Sequence, residues 1–251
     1  MSIIRYKRLA STNDKARILA EQGAREWTTV VAEVQTRGRG RSGKKWQSRK
    51  GGLWFSVILY PKIQPGKIGI LQFLTSNAVT KTVREKTVLR VETKWPNDVV
   101  FGPDKIAGIL IESKSKGNDV LFAIVGIGLN VNQSLSALPT GATSLHEACH
   151  EKYNLEQLMN GIIENMKMDF AGLNSPDEIL SRWWANCTHR SKMVSIETAE
   201  GTTKATSIGV EADGSLLVER NGRRERIIEG TLRILDKQRR ARPLSSPRIA
   251  G

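Results

Sequence analysis

The sequence predicts an α/β (α+β) protein: a large mixed domain followed by a small all-β barrel. Two observations predict this. Up to Cys187, short apolar or β-branched runs alternate with longer stretches of helical period. Beyond it, short alternating segments are punctuated by Asp213-Gly214 and Asn221-Gly222, pairs suited to tight hairpin turns. The expected division is 1–188, then 189–236, then a basic tail over 237–251.

Each element has a local reason. Ser11-Thr12-Asn13-Asp14 before KARILAEQ reads as an N-cap opening a helix that Gly23 can close. Residues 28–34 and 53–59 are apolar runs of buried-strand type, the second stopped by Pro61. A helix is expected over about 67–86, with Ile70, Phe73, Leu74 and Asn77 on one face. A strand over 88–93 leads into Lys94-Trp95-Pro96-Asn97-Asp98. Residues 99–101 and 106–112 flank Gly102-Pro103-Asp104 as a hairpin, and 121–131 form one more strand. Two helices follow, over 155–172 and from Ser175-Pro176-Asp177-Glu178, a capping box with proline at the first helical position. The barrel strands are expected at 193–198, 203–211, 215–220, 223–228 and 231–235.

The net charge of +14 is concentrated. Residues 37–50 hold seven Lys and Arg and no acid, and the tail holds five and no acid. The remainder is close to neutral, which points to a focused anion site and not to a broad nucleic-acid face. No apolar run reaches the roughly 20 residues of a membrane span, and the N-terminus has no signal-like core. Two cysteines make no disulfide framework, so a reducing cytoplasm is expected. His146, Cys149, His150, Cys187 and His189 lack the paired spacing of a zinc site, and no metal-binding residue is assigned.

Gly38-Arg39-Gly40-Arg41-Ser42-Gly43 matches the dinucleotide-binding glycine pattern, but no helix start follows it. It reads instead as a loop that folds over an anion. Ordering about eight flexible residues costs on the order of 10 kcal/mol. Each charge-assisted hydrogen bond returns roughly 1.5–3 kcal/mol. Several contacts are therefore needed to keep such a loop shut over a reactive intermediate.

Five motifs occur in order: Ser11-Thr12-Asn13; Gly38-Arg39-Gly40-Arg41 with Trp46; Lys94-Trp95-Pro96-Asn97-Asp98; Lys105-Ile106-Ala107-Gly108-Ile109-Leu110; and Gly126-Ile127-Gly128-Leu129-Asn130. Together they resemble the motifs of biotin protein ligases, over roughly residues 1–236. The resemblance implies a mixed-sheet catalytic domain, similar to class II synthetases and lipoate ligases, and an SH3-like C-terminal barrel. It implies that biotin and ATP with Mg2+ give biotinyl-5′-AMP, which a lysine of a biotin carboxyl carrier protein then attacks. It also implies a homodimer; no membrane or nucleic-acid partner is expected. No helix-turn-helix precedes the first motif, so a form without an N-terminal DNA-binding domain is expected.

By the same resemblance, Ser11, Thr12, Asn13, Gln35, Gly38, Arg39, Gly40, Arg41, Lys105 and Gly108 would bind biotin. Arg39, Arg41, Lys44, Trp46, Asn97, Lys105 and Asn130 would bind ATP and the adenylate. Lys105, Arg41 and Asp98 would be catalytic, the lysine and arginine by neutralising two anions and Asp98 toward the acceptor amine. Lys44 and Ser42 stand where the family often has arginine, which implies a less tightly closed loop. Two other functions stay open on the sequence: a lipoate ligase or octanoyltransferase of related fold, and a basic nucleic-acid-binding module suggested by the pI near 10.0.

Overall fold

The computed structural model describes residues 2–173 and 175–235; the basic tail lies outside them. Seven strands form the larger sheet: β1 (Ile3–Leu9), β2 (Thr29–Gln35), β3 (Leu53–Leu59), β4 (Glu92–Lys94), β5 (Asp98–Phe101), β6 (Asp104–Lys116) and β7 (Asp119–Leu129). Their spatial order is β1-β2-β3-β7-β6-β5-β4. β1 and β2 pair in parallel and the other neighbours antiparallel, so the sheet is mixed as the resemblance implied. β1 was not expected from the sequence. It is an edge strand carrying Arg5, Lys7 and Arg8, with no fully buried side chain to mark it.

Helices cover both faces. α1 (Thr12–Glu21) sets Ala16 and Ala20 against Val30, Ile58, Phe122 and Ile124. The opposite face carries α2 (Ile70–Lys86), with α4 (Leu155–Phe170) and α5 (Pro176–Ala185) packed on it; the short α3 (Leu145–Cys149) lies between β7 and α4 in the chain. β3 is buried at every position because both faces are covered. α2 is buried beyond the one face that Ile70, Phe73, Leu74 and Asn77 mark. α4 and α5 wrap its outer sides, so all of Ile70 to Thr80 is buried. Its polar residues hid this: Thr75 and Ser76 donate to the carbonyls of Leu71 and Gln72, each at 2.6 Å, and so enter the core satisfied. The capping box expected at Ser175 does not form; its side chain makes no cap bond, while Pro176 opens α5 as expected.

The five C-terminal strands lie close to where the sequence put them: β8 (Met193–Thr198), β9 (Gly201–Val210), β10 (Leu216–Arg220), β11 (Arg223–Ile227) and β12 (Thr231–Ile234). They make one antiparallel sheet in the order β11-β10-β9-β8-β12. The barrel expectation is met as an antiparallel sheet only: among the described residues β11 and β12 are its two edges, and the ladder does not close between them. No helix among the described residues is long and apolar enough to cross a membrane.

The C-terminal sheet is fastened to the first by side chains of the Lys94-Trp95-Pro96-Asn97-Asp98 segment. Trp95 is buried, its indole N–H donating to the Gly214 carbonyl at 2.9 Å and its backbone N–H to His189 Nε2 at 3.1 Å. A Cβ on Gly69, at the start of α2, would lie 2.3 Å from the Asp213 backbone, so glycine is required for that approach. Val194, Ile196, Leu216, Val218 and Leu232 join the same core as Trp95 and Trp183. Neither Cys187 nor His189 belongs to a metal-type cluster among the described residues.

His189 is fully buried; because its Nε2 accepts from Trp95, its Nδ1 proton goes to Ser207 Oγ, 2.8 Å away. Burial, with Lys94 and Lys192 nearby, pushes its pKa down to about 3. The unfolded imidazole binds a proton near pH 6.5 and the folded one does not, so stability is complete above that pH and falls as pH drops toward 3. We expect acid unfolding to steepen below pH 6.5 by up to about 1.4 kcal/mol per pH unit. His189→Asn should remove that segment of the curve in chemical-denaturation titrations. An unchanged slope would exclude His189 as its source.

Candidate active site

One cavity of about 1450 Å³ opens between the α1 face of the large sheet and the C-terminal sheet. One of its walls is the glycine loop, which is a folded hairpin and not an open excursion. Gln35 bridges to Ser48 and Arg39 to Lys45, Trp46 N–H donates to the Gly38 carbonyl, and the tip turns through Arg41–Gly43. A short 3-10 turn at the tip, in place of a helix, agrees with rejecting the dinucleotide-binding reading. Gly38 is needed for the return: a Cβ there would lie 2.6 Å from the Trp46 carbonyl oxygen.

The floor is made by missing side chains. Gly108 on β6 and Gly128 on β7 are register partners, and Trp46 lies across them. A Cβ on Gly128 would sit 2.4 Å from Trp46 Nε1, and one on Gly108 2.9 Å from the same ring. Two residues before Gly128 on β7, Gly126 makes room for Asn13; a Cβ there would be 2.2 Å from Asn13 Oδ1. Trp46 also meets Trp54 edge-on at 6.2 Å, and Lys105 Nζ lies 4.9 Å from its ring centre.

A buried polar network lines the α1 end. Ser11 caps the helix by accepting from Asp14 N–H, as expected. Gln35 Oε1 receives both the Thr12 backbone N–H (2.7 Å) and hydroxyl (3.0 Å), while Gln35 Nε2 donates to Ser48. Ser56 on β3 shares its proton between Thr12 Oγ1 (2.7 Å) and Asn13 Oδ1 (2.6 Å). Asn13 Nδ2 then donates to Glu112 Oε2 at 2.6 Å. With Ser11, Thr12 and Asn13 each under 5% exposed, these side chains are held in fixed orientations before any ligand arrives.

Four cations at the site face carboxylates. Lys105 Nζ lies 2.5 Å from Asp98 Oδ1, an ion pair whose approach angle is not that of an aligned hydrogen bond. Both side chains are mostly buried, at 30% and 21% exposed. Arg41 feels burial first, which lowers its pKa, with the Glu229 and Asp98 carboxylates opposing. Arg39 is held by Asp14 (2.6 Å) and by Glu112 (3.0 and 3.2 Å), and its pKa is raised because those partners outweigh burial. Arg17 completes that cluster from α1.

Ser11, Thr12, Asn13, Gln35, Arg39, Gly40, Arg41, Lys44, Trp46, Asn97, Asp98, Lys105, Gly108 and Asn130 all line this cavity. Gly38 does not; it acts through the turn of the loop. Asn97 and Asn130 are partly spoken for, their amides donating to Ile109 and Thr143 carbonyls. Ser56, Glu112 and Glu229 escaped the sequence reading. Ser56 is a lone polar residue in an apolar strand, and Glu112 shares by period-two alternation the face of Gly108 and Leu110, so both left a signal. Glu229 left none.

Known proteins are similar to this chain in sequence and in fold. Residues 6–130 match the model of the biotin/lipoate A/B protein ligase family. The chain is 34% identical over 228 residues to the bifunctional ligase/repressor BirA of Bacillus subtilis, covering 87% of this chain and 70% of that protein. It is 34% identical over 140 residues to the biotin--[acetyl-CoA-carboxylase] ligase of Paracoccus denitrificans, covering 54% of this chain and 58% of that one. The biotin protein ligase of Aquifex aeolicus, solved in complex with biotin and ATP, superposes with a TM-score of 0.78 at 28% identity, over 93% of this chain and 98% of the other. With motifs, fold and similarity in agreement, the chain belongs to the biotin/lipoate A/B protein ligase family, among its biotin protein ligases.

Proposed function

We propose that the protein activates biotin with ATP to biotinyl-5′-AMP and transfers the biotin to a lysine of a biotin carboxyl carrier protein. The observation that carries this is the meeting of Arg41, from the glycine loop, and Lys105, from β6, around Asp98 in one cavity. In the first step a biotin carboxylate oxygen attacks the α-phosphorus of ATP. The bond to the oxygen bridging toward the β-phosphorus breaks, and pyrophosphate leaves. Two anions must approach each other, and Lys105 and Arg41 supply the charge that permits it. Mg2+ enters with ATP as part of that substrate.

In the second step the carrier lysine's amine attacks the acyl carbon, AMP leaves, and the amine loses a proton. Asp98 pairs with Lys105 here, so it turns to the acceptor amine once ligand anions take Lys105 over. Ser11, Thr12, Asn13 and Gln35 surround biotin with Gly40 and Gly108, and Lys44, Trp46, Asn97 and Asn130 the nucleotide. Arg39 reaches the ligand by releasing Asp14 or Glu112. The catalytic unit is 1–188, and the C-terminal sheet is of the SH3-like kind. The two free cysteines suit the reducing cytoplasm.

Incubation with Mg-ATP and labelled biotin should yield a retained adenylate and label a biotin carrier domain; labelling of a lipoyl domain alone would end the proposal. Lys105→Ala should lower adenylate formation by at least about a hundredfold, the scale of losing one preorganised charge, with the melting curve retained. Normal adenylation by that variant would remove Lys105 from the chemistry. Gly126→Ala forces Asn13 to move, because the added carbon meets its Oδ1. We expect a rise of about tenfold or more in KM for biotin, of the size of one lost polar contact, with a smaller change for ATP. Equal changes for both substrates would place Asn13 outside the biotin wall.

A further inference from the structure

The tip of the glycine loop touches the C-terminal sheet through a hydrogen bond that the chemistry above does not use. Ser42 Oγ donates to Glu229 Oε1 at 2.6 Å, joining residues 187 positions apart. Ser42 sits at φ +51°, a left-handed conformation that a serine keeps when its surroundings hold it there. The acceptor's position is itself constrained. Glu229 lies in the short connection between β11 and β12, and a Cβ on the adjoining Gly230 would lie 2.9 Å from the Glu197 carbonyl oxygen of β8. That connection is therefore pressed onto a strand whose Val194 and Ile196 belong to the shared core. Next to Ser42 stands Arg41, which feels the Glu229 charge from the C-terminal sheet and the Asp98 charge from β5.

Ser42 is also a position where the resemblance led us to expect a looser loop. A serine at the tip can donate to a carboxylate across the cavity mouth, which gives the loop a fastening of a different kind.

We propose that Glu229 is a positioning residue: through Ser42 it latches the loop tip to the C-terminal sheet, holds Arg41 over the cavity and slows escape of the acyl-adenylate. The part about the adenylate rests on the function proposed above; the latch itself does not. The bond is exposed at the cavity mouth, so its contribution is that of one solvent-facing hydrogen bond and the effect is expected in rates, not in folding.

The test uses the full chain, with Ser42→Ala, Glu229→Ala, Glu229→Gln and the Ser42→Ala/Glu229→Ala double variant. Without ligand, the rate of tryptic cleavage within residues 37–50 should rise roughly three- to tenfold in either alanine variant, the range one hydrogen bond spans. The double variant should add nothing further, because both changes cut the same bond. Glu229→Gln keeps an acceptor for Ser42 and should stay nearer the parent in cleavage. With biotin and Mg-ATP, the release rate of the adenylate should follow the same order, with single-turnover adenylation changed less than retention. Parent-like cleavage and adenylate lifetimes in both alanine variants would overturn the latch, as would fully additive effects in the double variant. Should Glu229→Ala lose its cooperative melting transition, Ser42→Ala at the loop tip decides alone. If the parent makes no adenylate, the proposed function fails, and the cleavage series still decides the latch.

Discussion

The 2.5 Å pair between Lys105 and Asp98 sets the condition under which the other cations can gather. Two like charges about 6 Å apart repel by roughly 3 kcal/mol at an effective dielectric near 20. A site for two anionic substrates needs several cations close together before either substrate arrives, and that repulsion has to be offset from within. For Lys105, Arg41, Arg39 and Arg17 it is: Asp98 serves Lys105 and Arg41, Glu229 serves Arg41, and Asp14 with Glu112 serves Arg39 and Arg17.

The fold supplies this from separate places. α1 brings Asp14, β5 brings Asp98, β6 brings Lys105 and Glu112, the hairpin loop brings Arg39 and Arg41, and the C-terminal sheet brings Glu229. Glycines let them converge. With Gly108 and Gly128 facing each other across adjacent strands, the sheet surface is flat enough for Trp46 to lie on it. The Lys94-Trp95-Pro96-Asn97-Asp98 segment ties chemistry to architecture: Trp95 fastens the C-terminal sheet, Asn97 clips β5 to β6 and Asp98 faces the cavity.

Much of this was legible in the residues. Helix starts at Ser11 and Pro176, the apolar run of β3 and the alternating C-terminal strands are local features, and local propensity and patterning report them. What went unread had no local mark. β1 is amphipathic by too little, α2 carries buried polar residues such as Thr75 and Ser76 on its further faces, and among the described residues the C-terminal ladder stays open where five strands suggested closure.

By itself the sequence placed, in order along the chain, a capped helix, a basic glycine loop, and a lysine and an asparagine beside paired glycines. It could do so because capping, turn formation and alternation depend on near neighbours. Which charges face each other was decided by tertiary structure alone. Arg39 answers to Asp14 and Glu112, Arg41 to Asp98 and Glu229, and Ser42 to a residue 187 positions away. Electrostatic pairing depends on distance through space, and strand order in the sheets sets that distance where sequence separation does not.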